Sequence, residues 1–465
     1  MTLIKSISGI RGTIGGLVGE NLTPIDVVKF ASAYGVWVKQ QRKKTSYKIV
    51  VGRDARISGD MIHSLVMNTL VGMGINIVDV GLSTTPTVEV AVPMEHADGG
   101  IILTASHNPK QWNALKLLNK NGEFLNANEG QKILDYAKNE ATIQFAEVDN
   151  LGTIVKNDAY IDLHIDEILN LNLIDTNRIK NARFKVVVDA VNSTGGIAVP
   201  LLLERLGVEV VKLYCDPNGH FPHNPEPLKA HLTDLSEWVK KHRADFGIVV
   251  DPDVDRLAFV DEHGEMFGEE YTLVACADYV LSKNPGNTVS NMSSTRVLKD
   301  VTEKHGGIYK ASAVGEVNVV QMMKTQHAII GGEGNGGIIY PELHYGRDAL
   351  VGVALFLNLL VEKDISVSEL KKTYPLYFMS KKKIALTKDL NTDEILKNIE
   401  SRYKDEEIDL TDGVKINFSD SWVHLRKSNT EPIIRIYTEA TSQVAADQLA
   451  DQFIAVIDAL ACISK

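Results

Sequence analysis

The chain has 465 residues, 44% hydrophobic and 23% charged, which is the balance of a globular protein of three or four domains and excludes a disordered or fibrous one. Its formal net charge of −11 repels a nucleic-acid backbone, so any anionic ligand must be held by local cations against the overall field. Three widely spaced cysteines, Cys215, Cys276 and Cys462, suit reduced thiols in the cytoplasm rather than a disulfide framework.

The opening, MTLIKSISGIRGTIGG, has too short an apolar stretch for a signal peptide, and no apolar run approaches a bilayer-spanning length. A soluble, cytoplasmic protein without a membrane or nucleic-acid partner is therefore expected. YKIVVGRD then reads as a strand leading to a helix from about Gly59 to Gly72, and INIVDVG and GGIILTASHNP repeat the strand-then-turn pattern. FKVVVDAVNSTGG opens a second α/β unit, with a helix near 196–206 and the strand VEVVKLYCD. A third follows FGIVVDPDVDR, with EYTLVACADYVLSK as its helix and NTVSNMSST and HAIIGGEGNGG as strand-to-loop turns. The remainder is charged and helical at TDEILKNIESRYKDE, alternating through GVKINFSDSWVHLRKSNTEPIIRIYTEA, and closes on an amphipathic helix, as an α+β domain would. The resulting fold class is α/β: three similar mixed-sheet α/β domains plus a C-terminal α+β domain. The expected divisions are 1–150, 151–254, 255–371 and 372–465.

Two loops carry chemistry. Asp251, Asp253 and Asp255 follow the strand FGIVV at alternate positions, so in extended chain the three carboxylates converge on one hard cation such as Mg²⁺, with Arg256 beside them as a bidentate phosphate donor. Glu262 completes the spacing of a calcium-binding EF-hand, but Arg256 stands where that loop needs glycine, and strands flank it instead of helices. TASHNP closes the strand GGIIL and puts Ser106 at its tip. A serine hydroxyl needs activation, and His107, Lys116 and the acidic loop offer it, while Arg11 and Gly12 add a cation among glycines. No Gly-x-Ser-x-Gly elbow is present. Gly332, Gly334 and Gly337 satisfy a dinucleotide-binding spacing, but the chain runs on into IIYPELHYG rather than a helix, which argues against it.

In the order SGIRG, TASHNP, DPDVDR, GGEGNGG and RKSNTEPIIR, the chain resembles the α-D-phosphohexomutases over its whole length. The resemblance implies four domains around a central active-site cleft: a phosphoserine-loop domain, a metal-loop domain, a sugar-binding domain and a C-terminal phosphate-binding domain. It further implies a phosphorylated Ser106, which with Asp251, Asp253 and Asp255 holds one Mg²⁺. Arg11, Lys116 and Arg256 would line the phosphoryl-transfer site beside His107, and Glu333 and Asn335 would meet sugar hydroxyls. Arg426, Ser428, Asn429, Thr430 and Arg435 would clamp the phosphate that does not react. The implied reaction interconverts hexose 6-phosphate and hexose 1-phosphate through a hexose 1,6-bisphosphate, in a monomer or homodimer. The GEGNGG and SNTEP spellings look most like members that use glucosamine phosphate. Mannose and glucose phosphates are the alternative, and a phosphoserine-dependent phosphatase is the more distant one. The family's sugar loop commonly reads Gly-Glu-x-Ser-Gly-His; here Asn335 replaces the serine and Gly337 stands in place of the histidine. Either Lys116 takes on more acid/base work or a neighbour such as His344 substitutes, although His344 is read as structural or substrate-adjacent rather than catalytic.

Overall fold

A computed structural model describes residues 2–6, 9–385, 392–427 and 433–463. Four sheets follow one another along the chain. The first has seven strands in the order Ile4–Ser6, Gly9–Thr13, Trp112–Leu118, Gly99–Leu103, Tyr47–Arg53, Ile75–Leu82 and Ile154–Lys156. Its centre is parallel, and Trp112–Leu118 returns antiparallel to Gly99–Leu103 with Lys116 opposite Ile102. The helix Gly59–Gly72 lies where the periodicity places it.

The second sheet runs Leu257–Val260, Phe246–Val250, Lys185–Asp189 and Glu209–Leu213; the third runs Tyr309–Ser312, Asn287–Asn291, Ala328–Glu333 and Gly337–Ile339. Their central strands are buried along both faces, which is why FGIVV reads as an unbroken apolar run. The fourth sheet is wholly antiparallel and alternates, with Ile434 and Ile436 inward and Ile433 and Arg435 half-buried.

Two of the expected divisions fall elsewhere. Leu257–Val260 pairs antiparallel with Phe246–Val250, so a boundary at 254/255 cuts a hairpin of the second sheet. Ile154–Lys156 joins the first sheet beyond residue 150, by parallel pairing with Ile75–Leu82. The physical reason is that apolar runs specify strands but not their partners. The second and third sheets also share one core, in which Phe259 stacks on Phe356 at 3.7 Å between ring centroids. Phe356 belongs to the helix Ala349–Lys363, which is buried from Ala349 to Leu360.

The chemical loops all leave the carboxyl ends of central strands: the serine loop after Gly99–Leu103, the aspartate loop after Phe246–Val250, and the glutamate loop at the end of Ala328–Glu333. This is where open α/β sheets bind ligands, because their backbone and side chains there are free of the ladder. Gly337–Ile339 turns back antiparallel on Ala328–Glu333, so the glycine-rich loop opens into a strand and not a helix. Among the described residues no helix is long and apolar enough to cross a membrane.

Candidate active site

Ser106 Oγ donates to Asp251 Oδ2 at 2.7 Å, although the two residues lie 145 positions apart. The serine takes a left-handed backbone, φ +49°, which turns its hydroxyl out of the strand line. One residue that the motifs did not single out holds it there. Arg56, fully buried, donates to the carbonyls of Ser106 and Asn108 through Nη2 and to those of Pro109 and Trp112 through Nη1. Its Nε pairs with Asp54 at 3.0 Å; Asp54 also accepts from Thr104 Oγ1, and Thr104 Oγ1 in turn accepts the Ser106 N–H. The only signal in the sequence was an arginine two residues past an acid in VGRDARISG.

The aspartate loop is held from three sides. Asp253 carbonyl oxygen accepts from Thr85 N, Pro252 carbonyl oxygen accepts from the Ser193 and Thr194 hydroxyls, and Ala349 N donates to Val254 carbonyl oxygen. Val254 stands at φ +64°, strained for a β-branched residue and found here in the middle of a functional loop.

Four of the six carboxylate oxygens have hydrogen-bond partners. Asp251 Oδ1 accepts the backbone N–H groups of Asp255 and Arg256. Asp253 Oδ2 accepts from Lys116 Nζ and Thr85 Oγ1, both at 2.6 Å. Asp255 Oδ2 accepts from Arg347 Nη2 at 2.7 Å and from Lys116 at 3.2 Å. Asp253 Oδ1 and Asp255 Oδ1 are buried with no hydrogen-bond partner, and one oxygen from each of the three acids fits within a 4.8 Å cluster. Three buried carboxylates that bring one oxygen each into so small a cluster, two of them with an oxygen left unpaired, are a donor set for a hard divalent cation, so these residues fit a metal. Burial and the neighbouring Asp253 and Asp255 push Asp251 well above the carboxylate range. Burial works the same way on Asp255, but Arg347, Lys116 and Arg256 outweigh it and hold Asp255 low.

The cations surround this centre. Burial would lower the Lys116 ammonium, yet Asp253 and Asp255 overcome it and keep the proton bound more tightly than usual. Arg11, paired in register with Ala114, is lowered by burial and by Arg256 close by. Arg256 Nη1 reaches Glu226 at 3.3 Å, while its buried Nε has no hydrogen-bond partner. His107 Nδ1 lies 3.4 Å from Ser106 Oγ, and burial, followed by Arg256, pushes its pKa down to about 2, so the ring is neutral.

In the glutamate loop, Glu333 Oε1 accepts from Asn291 and from the Gly315 N–H, and Oε2 from Arg347 Nη1 at 2.7 Å. Asn335 Oδ1 accepts the Gly337 N–H. A Cβ on Gly337 would lie 2.3 Å from Arg347 Cδ, so Arg347 fills the space into which a side chain at 337 would grow. Arg347 Nε also sits 3.0 Å from Glu316 Oε2, though too poorly aligned for a hydrogen bond. Arg347 was missed by sequence reasoning. His344, considered there as a substitute, turns instead to Glu89 and Asp348.

Arg426 and Arg435 face each other across adjacent strands, Trp422–Lys427 and Ile433–Ala440. Arg426 pairs with Asp412, and Arg435 Nε is buried without a hydrogen-bond partner. Ser428, Asn429 and Thr430 lie outside the described residues.

A serine hydroxyl set against a loop of buried carboxylates that fit a metal, ringed by cations, at the carboxyl ends of strands in successive α/β domains is the layout of a phosphoryl-transfer enzyme. Models of phosphoglucomutase/phosphomannomutase α/β/α domains I, II and III match residues 4–144, 162–264 and 268–377, and that of the C-terminal domain matches 383–456. The chain belongs to the phosphoglucomutase/phosphomannomutase family and is a phosphohexose mutase, an isomerase. It is 35% identical to a phosphoglucomutase/phosphomannomutase of Thermococcus kodakarensis over 96% of this chain and 98% of that one. To a probable phosphoglucosamine mutase of Methanopyrus kandleri it is 32% identical, over 97% and 96% of the two chains. A crystal structure of a phosphoglucomutase/phosphomannomutase family protein from Burkholderia thailandensis superposes with a TM-score of 0.84 at 26% identity, covering 98% of each chain.

Proposed function

We propose that the enzyme interconverts glucosamine 6-phosphate and glucosamine 1-phosphate, carrying the phosphoryl group on Ser106. The observation that carries the phosphoserine assignment is the Ser106 hydroxyl set 2.7 Å from Asp251 in a ring of cations. The hydroxyl of a hexose monophosphate attacks phosphoserine: a new O–P bond forms as the bond to Ser106 Oγ breaks. The resulting hexose 1,6-bisphosphate turns around and returns its other phosphoryl group to Ser106. Lys116 is assigned to carry the proton between attacking and leaving oxygens, while His107, held neutral, orients the serine oxygen as a hydrogen-bond partner. Arg11 and Arg256 stabilise charge on the transferring oxygens, which is the larger part of such catalysis.

One Mg²⁺ per chain would be held by Asp251, Asp253 and Asp255 with the Ser106 oxygen, and when bound supplies further neutralisation of phosphoryl charge. Glu333 and Asn335 are assigned to sugar hydroxyls. Arg426 and Arg435, with Ser428, Asn429 and Thr430, are assigned to the distal phosphate, which allows either end of the sugar to be anchored.

The glucosamine preference is supported by the names of several similar proteins. A second reading, glucose and mannose phosphates as substrates, is supported by the 35% identical relative. Side-by-side assays on glucosamine, glucose and mannose 6-phosphates decide between them by kcat/KM. In the same assay Ser106→Ala loses nearly all kcat. Stoichiometric free phosphate with no hexose 1-phosphate from the wild type would instead identify a phosphatase.

A further inference from the structure

A second cluster of ligand-type side chains lies apart from the aspartate triplet. His164 comes from the helix Tyr160–Leu169, Asp348 caps the start of the helix Ala349–Lys363, and His344 stands four residues before Asp348. Nε2 of His164 and Nε2 of His344 approach the same oxygen, Asp348 Oδ2, at 3.0 and 3.4 Å. Asp348 Oδ1 is committed to the N–H groups of Leu350 and Val351, so Oδ2 alone faces the rings. His164 and Asp348 are fully buried, and the side chain of His344 is 10% exposed.

The far nitrogens of both rings have partners on a third element, the helix Thr85–Met94. His164 Nδ1 lies 3.0 Å from Thr87 Oγ1, which contacts Thr84 Oγ1 in turn. His344 Nδ1 lies 3.4 Å from Glu89 Oε2. Glu89 is 1% exposed and neither of its oxygens has a hydrogen-bond partner. Gly346 makes room for it, since a Cβ there would fall 1.9 Å from Glu89 Oε2.

We propose that His164 Nε2, His344 Nε2 and Asp348 Oδ2 hold a divalent transition-metal ion of the Zn²⁺ type where the first three domains meet. A tetrahedral ion with bonds of about 2.0–2.1 Å keeps its donors ~3.3 Å apart, close to the two separations observed. Two imidazoles and a carboxylate select zinc-like ions over Mg²⁺. Each ring then binds through Nε2 and turns its Nδ1–H outward, toward the Thr87 hydroxyl at 3.0 Å and toward the Glu89 carboxylate at 3.4 Å, where the outer-shell groups of bound histidine stand. The partly exposed side of His344 leaves the fourth position to water. Charge closes as well, because the carboxylates of Asp348 and Glu89 neutralise a dication.

Without a metal the triad has one more proton to place. If both rings donate Nε2–H to Asp348, a neutral His344 turns a lone pair toward Glu89, and one further proton is required in a buried place. The rival is therefore a protonated Glu89 with no metal, and it predicts no stoichiometric metal.

The test uses the full-length protein, stripped by chelator and titrated with Zn²⁺ against a chromophoric competitor in excess Mg²⁺. One tightly held Zn²⁺ per chain is expected, retained in Asp253→Asn and lost in His164→Gln and in His344→Gln. Glu89→Gln should weaken it by about 10–100-fold. Co²⁺ on the wild type should give the intense visible absorption of a tetrahedral nitrogen-containing site, a readout that needs no variant to fold. Absence of both stoichiometric Zn²⁺ and that absorption overturns the proposal, as does Zn²⁺ that survives both histidine substitutions or disappears with Asp253→Asn.

Discussion

The serine loop and the glutamate loop leave the same end of comparable strands, yet they are anchored in opposite ways. In the serine loop Arg56 grips backbone, taking four carbonyl oxygens, and the side chain proposed to react is left to face Asp251. In the glutamate loop the grip falls on the side chain itself, with Glu333 tied to Arg347, Asn291 and Gly315. A nucleophile must meet an incoming group at a fixed place, so its loop is fixed through atoms that do not react. A group proposed to read hydroxyls, as Glu333 is, can share its lone pairs with protein donors and substrate alike, since each carboxylate oxygen accepts more than one hydrogen bond.

The sharpest way to break this contrast is Arg56→Ala. It leaves Asp54, fully buried and pushed up by burial against the pull of Arg56, without its partner, and it orphans the loop carbonyls. Removing one member of a buried pair typically costs about 3–5 kcal/mol. Urea unfolding should show a loss of that order, accompanied by loss of turnover, and Arg56→Lys should recover little, because one ammonium cannot span four carbonyls. Wild-type stability in Arg56→Ala would mean that the serine loop holds its own shape.

The second test addresses Arg347, which bridges the aspartate and glutamate loops through Asp255 and Glu333. Arg347→Gln should lower kcat/KM by about 10²-fold, comparable with removing one preorganised donor from an active site. The split should show in both terms, kcat through Asp255 and KM through Glu333. A change confined to stability would assign Arg347 to structure alone.

What was legible in the sequence follows the same division. The serine and aspartate loops were readable because each packs its candidate chemistry into six consecutive residues at the end of an apolar strand, and the two loops meet where Ser106 Oγ lies 2.7 Å from Asp251. Arg56 and Arg347 were not, because they act from loops with no composition of their own; the carbonyls that Arg56 takes lie 50–56 positions away, and Arg347 joins residues 14 and 92 positions away. Gly337 was noticed as a missing side chain, but only the fold shows that Arg347 fills its space. The division at 254/255 failed for a related reason: LAFV is as apolar as any strand of the third unit, and nothing local says that it turns back onto FGIVV. Glu89, a carboxyl in the midst of the apolar helix TPTVEVAVPM, was a buried acid whose setting could have been suspected from its neighbours.

A third effect, spread over a span of pH, sharpens the comparison at the base of the glutamate loop. Glu270 lies beneath Gly334, where a Cβ would fall 1.8 Å from its Oε2, and it accepts from the Thr295 N–H and from Lys381. Burial raises its pKa to about 7, with Lys381 opposing and Glu269 and Glu439 assisting. An acid raised in the folded state binds a proton that the unfolded chain has already released, so its contribution is complete below the unfolded value of 4.5 and fades as pH climbs toward 7. Across that window the wild type should lose stability relative to Glu270→Gln by about 1.4 kcal/mol per pH unit, the slope of one proton. Glu439, also raised by burial, is present in both proteins and cancels from the difference. Parallel stability curves for the two proteins from pH 4.5 to 7 would show that Glu270 is ionised throughout, with its charge already satisfied by Lys381. The glutamate loop would then rest on an ion pair, as Glu333 does, and not on a neutral acid.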